Sequence, residues 1–252
     1  MDNDSNSEVS QKLSNAVKEY SADAQIFLLD WGEAANTKGV VDKAAAWIDE
    51  VGKAAGEKLN SWGITTGNIN IIGHSLGSYV AAEIAKKVTG GVNNIVALDP
   101  ASTIAFDGSY KGSDVKFSDN SNWAWGFYSS LLGDENLTKT AEESFKVEFP
   151  DIVQVERERA LIGSMAIDRA IVAKQELENQ KAKHGAVVDL FSDLLKEAND
   201  KTVSSKGDIF GLDRMNSSGK PWNIDYGNKW EAKLSPKKSG NSWFLDKIES
   251  NP

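Results

Sequence analysis

The feature that most constrains this chain is Gly73-His74-Ser75-Leu76-Gly77, a G-x-S-x-G set between the apolar run NINIIG (68–73) and the helical pattern SYVAAEIAKKV that starts at Ser78. A serine carried on a sharp turn between a buried strand and a helix stands clear of both elements, in a strained backbone that tolerates only very small neighbours two positions away. Gly73 and Gly77 are expected to supply that room. A serine between glycines in a chance loop would need neither flanking element. The spacing thus predicts a nucleophile at Ser75 on an α/β scaffold.

The surrounding sequence alternates strand and helix signals. SNSEVSQKLSNAVKEY has Ser5 and Glu8 in capping-box spacing and a helical apolar period, predicting a first helix. QIFLLD (25–30) is a short continuous apolar run of the kind a strand buried on both faces shows. Residues 40–59 place Val41, Ala45, Ile48, Val51, Ala55 and Leu59 on one helical stripe, and NNIVALD (93–99) reads as the next strand. Strands alternating with helices imply a mostly parallel sheet with helices on both faces. Beyond Pro100 the pattern weakens into an aromatic, loop-rich stretch. A helical segment is expected over Asp151–Lys183, and the turn-rich region from Gly207 onward admits no assignment element by element. No internal period and no change of composition divides the 252 residues, so they read as a single domain, 1–252.

A serine hydroxyl becomes nucleophilic only when a base takes its proton, normally a histidine oriented by a carboxylate. The chain has two histidines. His74 is adjacent to Ser75 and cannot easily turn its ring onto its neighbour's oxygen, so His184 is the base by elimination. Asp99 ends the strand after the elbow helix, at the carboxyl edge where open α/β sheets collect their chemistry. A turn-forming Asp-Pro is the lesser alternative for Asp99 and Pro100, and the order Ser75, Asp99, His184 is the α/β-hydrolase order. The backbone N–H of Leu76, following the nucleophile, is one donor of an oxyanion hole. No metal or organic cofactor is required. Asp107, Asp114 and Asp119 share a Gly/Ser-rich loop, but their spacing does not fit an EF-hand and they read as solvated acids.

These residues also carry a family likeness. INIIGHSLGSYVAAEIA followed by NIVALDPAS resembles the pancreatic-lipase-like family, IFLLDW (26–31) resembles its strand before a long helix, and HGAVVDLF (184–191) its triad-histidine segment. NWAWGFY and TAEESFKVEF are similar to a bacterial branch of that family. The resemblance implies an α/β-hydrolase fold and triacylglycerol lipase, phospholipase A1 or esterase activity, with a triad of Ser75, Asp99 and His184. It also implies a lid or insertion across about 101–183, with Trp123, Trp125, Phe127 and Tyr128 as acyl-chain contacts; an aromatic cluster is more often core. Transient contact with a lipid interface and an extracellular location follow from the same likeness. The chain departs from the family in having no cysteine and no His-Gly-aromatic strand before residue 25, the strand that brings the second oxyanion donor. A catalytically impaired binding or storage protein, or a fragment of a larger secreted lipase, is the alternative this departure raises.

Charge and hydropathy limit the partners. With 28 basic and 37 acidic residues the net charge is −9, which repels nucleic-acid phosphates at long range. No apolar run is long enough to span a bilayer, and the acidic, polar start MDNDSNSEVS has no Sec-type leader pattern.

Overall fold

The computed structural model describes residues 8–21, 23–35, 41–64, 69–106, 108–158 and 166–197, together with the backbone of strands 222–225, 231–239 and 242–250. In chain order the elements are α1 (Glu8–Tyr20), α2 (Gly32–Ala35), α3 (Val41–Ala45), α4 (Ile48–Ser61), β1 (Asn70–His74), α5 (Leu76–Lys87) and β2 (Val92–Leu98). There follow β3 (Ser121–Tyr128), α6 (Glu135–Thr138), β4 (Glu143–Val147), α7 (Ala166–Glu197), β5 (Trp222–Asp225), β6 (Glu231–Ser239) and β7 (Ser242–Ser250). The strands form one sheet in the order β1-β2-β3-β4-β7-β6-β5. β1 to β4 and β7 run parallel, and β6 and β5 turn antiparallel.

Period-2 alternation divides the core between the two faces of the sheet. Val96 and Leu98 of β2, with Trp125 and Phe127 of β3, point to one side, where Ala16 of α1 and Ala186, Val187, Leu190, Phe191 and Leu194 of α7 cover them. Ile95, Ala97 and Ala124 point to the other, against Ile48 of α4 and Tyr79, Val80 and Ile84 of α5. Phe127 stacks on Phe145 at 4.4 Å between centroids and meets Phe191 edge-on at 5.6 Å. Helices thus flank the parallel strands on both faces, consistent with the α/β-hydrolase architecture the sequence implies.

Several expectations change. QIFLLD is not a strand: residues 24–31 form no regular element, and Phe27, Leu28 and Leu29 are exposed. β1 ends the sheet, and no described strand pairs with its outer edge. Instead Phe27 lies against Trp62 at 5.2 Å. The helical stripe of 40–59 is broken at residues 46–47 into α3 and α4. The stretch read as loop-rich after Pro100 contains β3 and β4, two central strands inside the 101–183 interval. Residues 151–156 are not helical but strap onto α7: the Asn179 side-chain oxygen accepts from the backbone of Ile152 (2.9 Å) and Val153 (3.2 Å), and its nitrogen donates to Asp151 (2.7 Å). The helix expected to stop at Lys183 runs on to Glu197. Ser5 of the capping box and Asp107 lie outside the described residues.

Candidate active site

β1 and β2 are adjacent and parallel, so their carboxyl ends deliver Ser75 and Asp99 to the same edge. The ladder continues one residue past each strand: Ser75 N–H donates to the Leu98 carbonyl (3.0 Å) and Asp99 N–H to the Phe127 carbonyl (2.7 Å). Immediately after those bonds the chain turns sharply. Ser75 has φ 55° and ψ −125°, and Asp99 has φ 43°; these are the non-glycine residues at positive φ among those described. Such conformations cost on the order of 1–3 kcal/mol each and persist only where surroundings enforce them. Here a ladder bond precedes each one, and α5 follows directly on Ser75.

Gly73 is needed at its place. A Cβ there would come within 2.3 Å of the Gly77 carbonyl oxygen and 2.8 Å of the Ser78 Cα. Gly77 departs from expectation, because a Cβ on it meets nothing within 4 Å. The turn is crowded on the strand side only.

His184 reaches this edge from the middle of α7. Its Nδ1 lies 2.6 Å from Asp99 Oδ2, so Nδ1 carries the proton that the carboxylate accepts. Asp99 takes further bonds at Oδ1 from the backbone N–H of Ser129 (2.8 Å) and Ser130 (3.4 Å), and at Oδ2 from the Ser130 hydroxyl (2.5 Å). Asp99 and His184 are 0% and 1% exposed, so the pair is shielded from competing water. His184 Nε2, on the ring edge away from Asp99, has no hydrogen-bond partner among the described residues. That arrangement leaves one basic nitrogen available and the other committed. Ser75 is likewise buried, at 5% exposure.

His74 contributes in a way the sequence did not signal. Its Nε2–H donates to the backbone carbonyl of His184 (2.8 Å), and the two imidazoles face each other at 4.6 Å between centroids. Burial, with the neighbouring His184 adding to it, pushes the His74 pKa down to about 4. At neutral pH His74 is therefore an uncharged tether on α7, and it offers no like charge to a proton arriving on His184.

The other sequence-derived candidates separate by depth. Leu76 is the first residue of α5, so its N–H belongs to a helix N-terminal turn, where backbone donors lack carbonyl partners and favour negative charge. Trp125 and Phe127 are core side chains at 1% and 0% exposure, and Trp123 packs against the same cluster. Tyr128 ends β3, half-buried, beside the Ser129 and Ser130 that bind Asp99. Ser130 and Gly133 escaped the sequence reading altogether, since YSSLLGDE contains no motif that singles them out. Among the described residues no group of His, Asp and Glu side chains is arranged to hold a metal ion.

A model of the lipase family matches residues 2–120, a span that holds Ser75 and Asp99. Pancreatic triacylglycerol lipase of Oryctolagus cuniculus is 40% identical over 52 residues, 21% of this chain and 11% of that protein. The pancreatic triacylglycerol lipase of Equus caballus is 42% identical over 52 residues, again 21% and 11%, and that of Myocastor coypus 49% over 39 residues, 16% and 8%. The chain spans about a tenth of the length of the curated relatives it matches.

Proposed function

We propose that this chain, which belongs to the pancreatic-lipase-like family of α/β-hydrolases, hydrolyses carboxylic esters of lipids through Ser75, His184 and Asp99. One observation carries the proposal: a buried imidazole fixed to a carboxylate by Nδ1, with Nε2 unpartnered, at the sheet edge where a strained strand-to-helix turn presents a serine.

In the first half of the reaction Ser75 Oγ attacks the ester carbonyl while His184 Nε2 takes its proton. The alkoxide leaves with that proton, and an acyl-serine remains. Water then attacks the acyl-serine with the same nitrogen as base, releasing the fatty acid and restoring Ser75. Asp99 holds the ring and offsets the charge it gains. The negative charge that develops on the carbonyl oxygen is met by the Leu76 N–H at the start of α5; a single donor of this kind is worth about a hundred- to thousandfold in turnover.

A lipid substrate is supported by the family and by the pancreatic triacylglycerol lipases it resembles. No described helix is long and apolar enough to cross a membrane. Hydrolysis of p-nitrophenyl esters by the purified chain, and its loss in Ser75→Ala with the fold intact, is the test. Undiminished hydrolysis by that variant overturns the assignment.

A further inference from the structure

We infer that Ser130 is a positioning residue of this site, which shares Asp99 Oδ2 with His184 and so sets both the orientation of the carboxylate and its grip on the imidazole. The inference rests on the reading of Asp99 and His184 as acid and base. Two donors converge on one oxygen: the Ser130 hydroxyl at 2.5 Å and His184 Nδ1 at 2.6 Å, with the hydroxyl oxygen 3.4 Å from Nδ1. A carboxylate oxygen has two lone pairs, so both bonds form at once, and each draws on the same charge.

Ser130 is not placed to be the nucleophile itself. It lies on the Nδ1 edge of the ring, already occupied by Asp99, whereas a serine that gives up its proton must face Nε2. Its backbone has no positive φ, and its side chain is 4% exposed.

The loop that carries it is fixed from both sides. Ser129 Oγ donates to the Lys183 carbonyl (3.1 Å) and Leu131 N–H to Gln180 Oε1 (2.8 Å), tying the loop to α7 on either side of Ser130. Ser102 N–H to the Leu132 carbonyl (2.9 Å), Asp134 N–H to the Pro100 carbonyl (2.8 Å) and the Ala101–Gly133 bridge tie it to the segment after Asp99. The Ser130 hydroxyl is therefore aimed by the same two elements that carry Asp99 and His184, which is the arrangement a positioning group requires.

The test uses the full chain with Ser130→Ala, Ser130→Thr and, should the alanine variant fold poorly, Ser130→Cys. The first readout is the proton NMR resonance of His184 Nδ1–H, in a chain with only one other histidine. Loss of the hydroxyl leaves Oδ2 to His184 alone, so the resonance moves downfield in Ser130→Ala and returns in Ser130→Thr. An unmoved resonance overturns the inference whether or not the protein turns over. The second readout is kinetic: on p-nitrophenyl butyrate, Ser130→Ala lowers kcat about ten- to a hundredfold at unchanged KM, and Ser130→Thr restores most of it. Equal kcat in wild type and Ser130→Ala overturns the inference. Absence of any wild-type turnover instead removes the hydrolase reading, and the NMR result still decides the role of Ser130.

Discussion

Asp99 and His184, 85 positions apart in sequence, are joined by a 2.6 Å contact between Oδ2 and Nδ1 that is closed to solvent on both sides. The strand end that carries Asp99 and the helix that carries His184 meet only because α7 lies across the sheet face and its apolar positions from Ala186 to Leu195 pack on β2 and β3. Replacing Asp99 by Asn keeps the volume and removes the charge. In the serine-hydrolase mechanism that change leaves the imidazole in the wrong tautomer and lowers kcat by about 10,000-fold. Steady-state kinetics on a soluble ester should show that fall with KM little altered.

Gly133 makes a second, steric demand at the same carboxylate. A Cβ there would stand 2.2 Å from Asp99 Oδ1 and 2.7 Å from its Cγ. Because Asp99 is held by four donors and the neighbouring backbone by the Ala101–Gly133 bridge, neither side can yield cheaply. Gly133→Ala should therefore destabilise the fold by about 1–3 kcal/mol and cut kcat sharply, read by thermal melting and ester hydrolysis.

The two elbow glycines should behave oppositely. Gly73→Ala forces a methyl into the Gly77 carbonyl and is expected to prevent formation of a productive elbow. Gly77→Ala meets open space inside α5, and alanine is favoured over glycine in a helix by about 0.5–1 kcal/mol. Gly77→Ala should thus raise the midpoint of thermal unfolding slightly while Gly73→Ala lowers it.

His74 predicts a pH dependence of stability. Its pKa is about 4 in the fold against about 6.5 when unfolded. Between those values the unfolded chain binds more protons than the folded one, so stability rises with pH across that window and is lost as pH falls from 6.5 toward 4. The ring is half-buried, so solvent screening brings the contribution to roughly 2 kcal/mol. His74→Asn, whose amide can still donate to the His184 carbonyl, should flatten the change in unfolding free energy between pH 6.5 and 4.5, measured by denaturant titration.

What was legible in the sequence is the placement of the candidate residues, because it is locally encoded. GHSLG between a strand and a helix puts Ser75 on the turn into α5, and Asp99 follows the end of the next strand. With two histidines in the chain, His184 is the one the sequence leaves as candidate base, and it lies 2.6 Å from Asp99. What escaped was fixed by tertiary context. QIFLLD has the composition of a buried strand, yet residues 24–31 form no regular element and Phe27, Leu28 and Leu29 are exposed. β3 was hidden because the aromatic run from Trp123 to Tyr128 reads as part of a loop-rich stretch, whereas alternation places Trp125 and Phe127 on one core face and Ala124 on the other. Ser130 and Gly133 bind or pack against Asp99 from a loop whose sequence has no motif; only the folded clasp gives them meaning.

Labelling with a fluorophosphonate, followed by mapping of the modified peptide by mass spectrometry, tests the catalytic role of Ser75 most directly. An activated serine displaces fluoride and keeps the phosphonyl group, so rapid labelling on Ser75 that is abolished in His184→Ala and slowed in Asp99→Asn is the predicted result. No labelling of the folded chain, or an adduct on Ser130 with Ser75 unmodified, would contradict it.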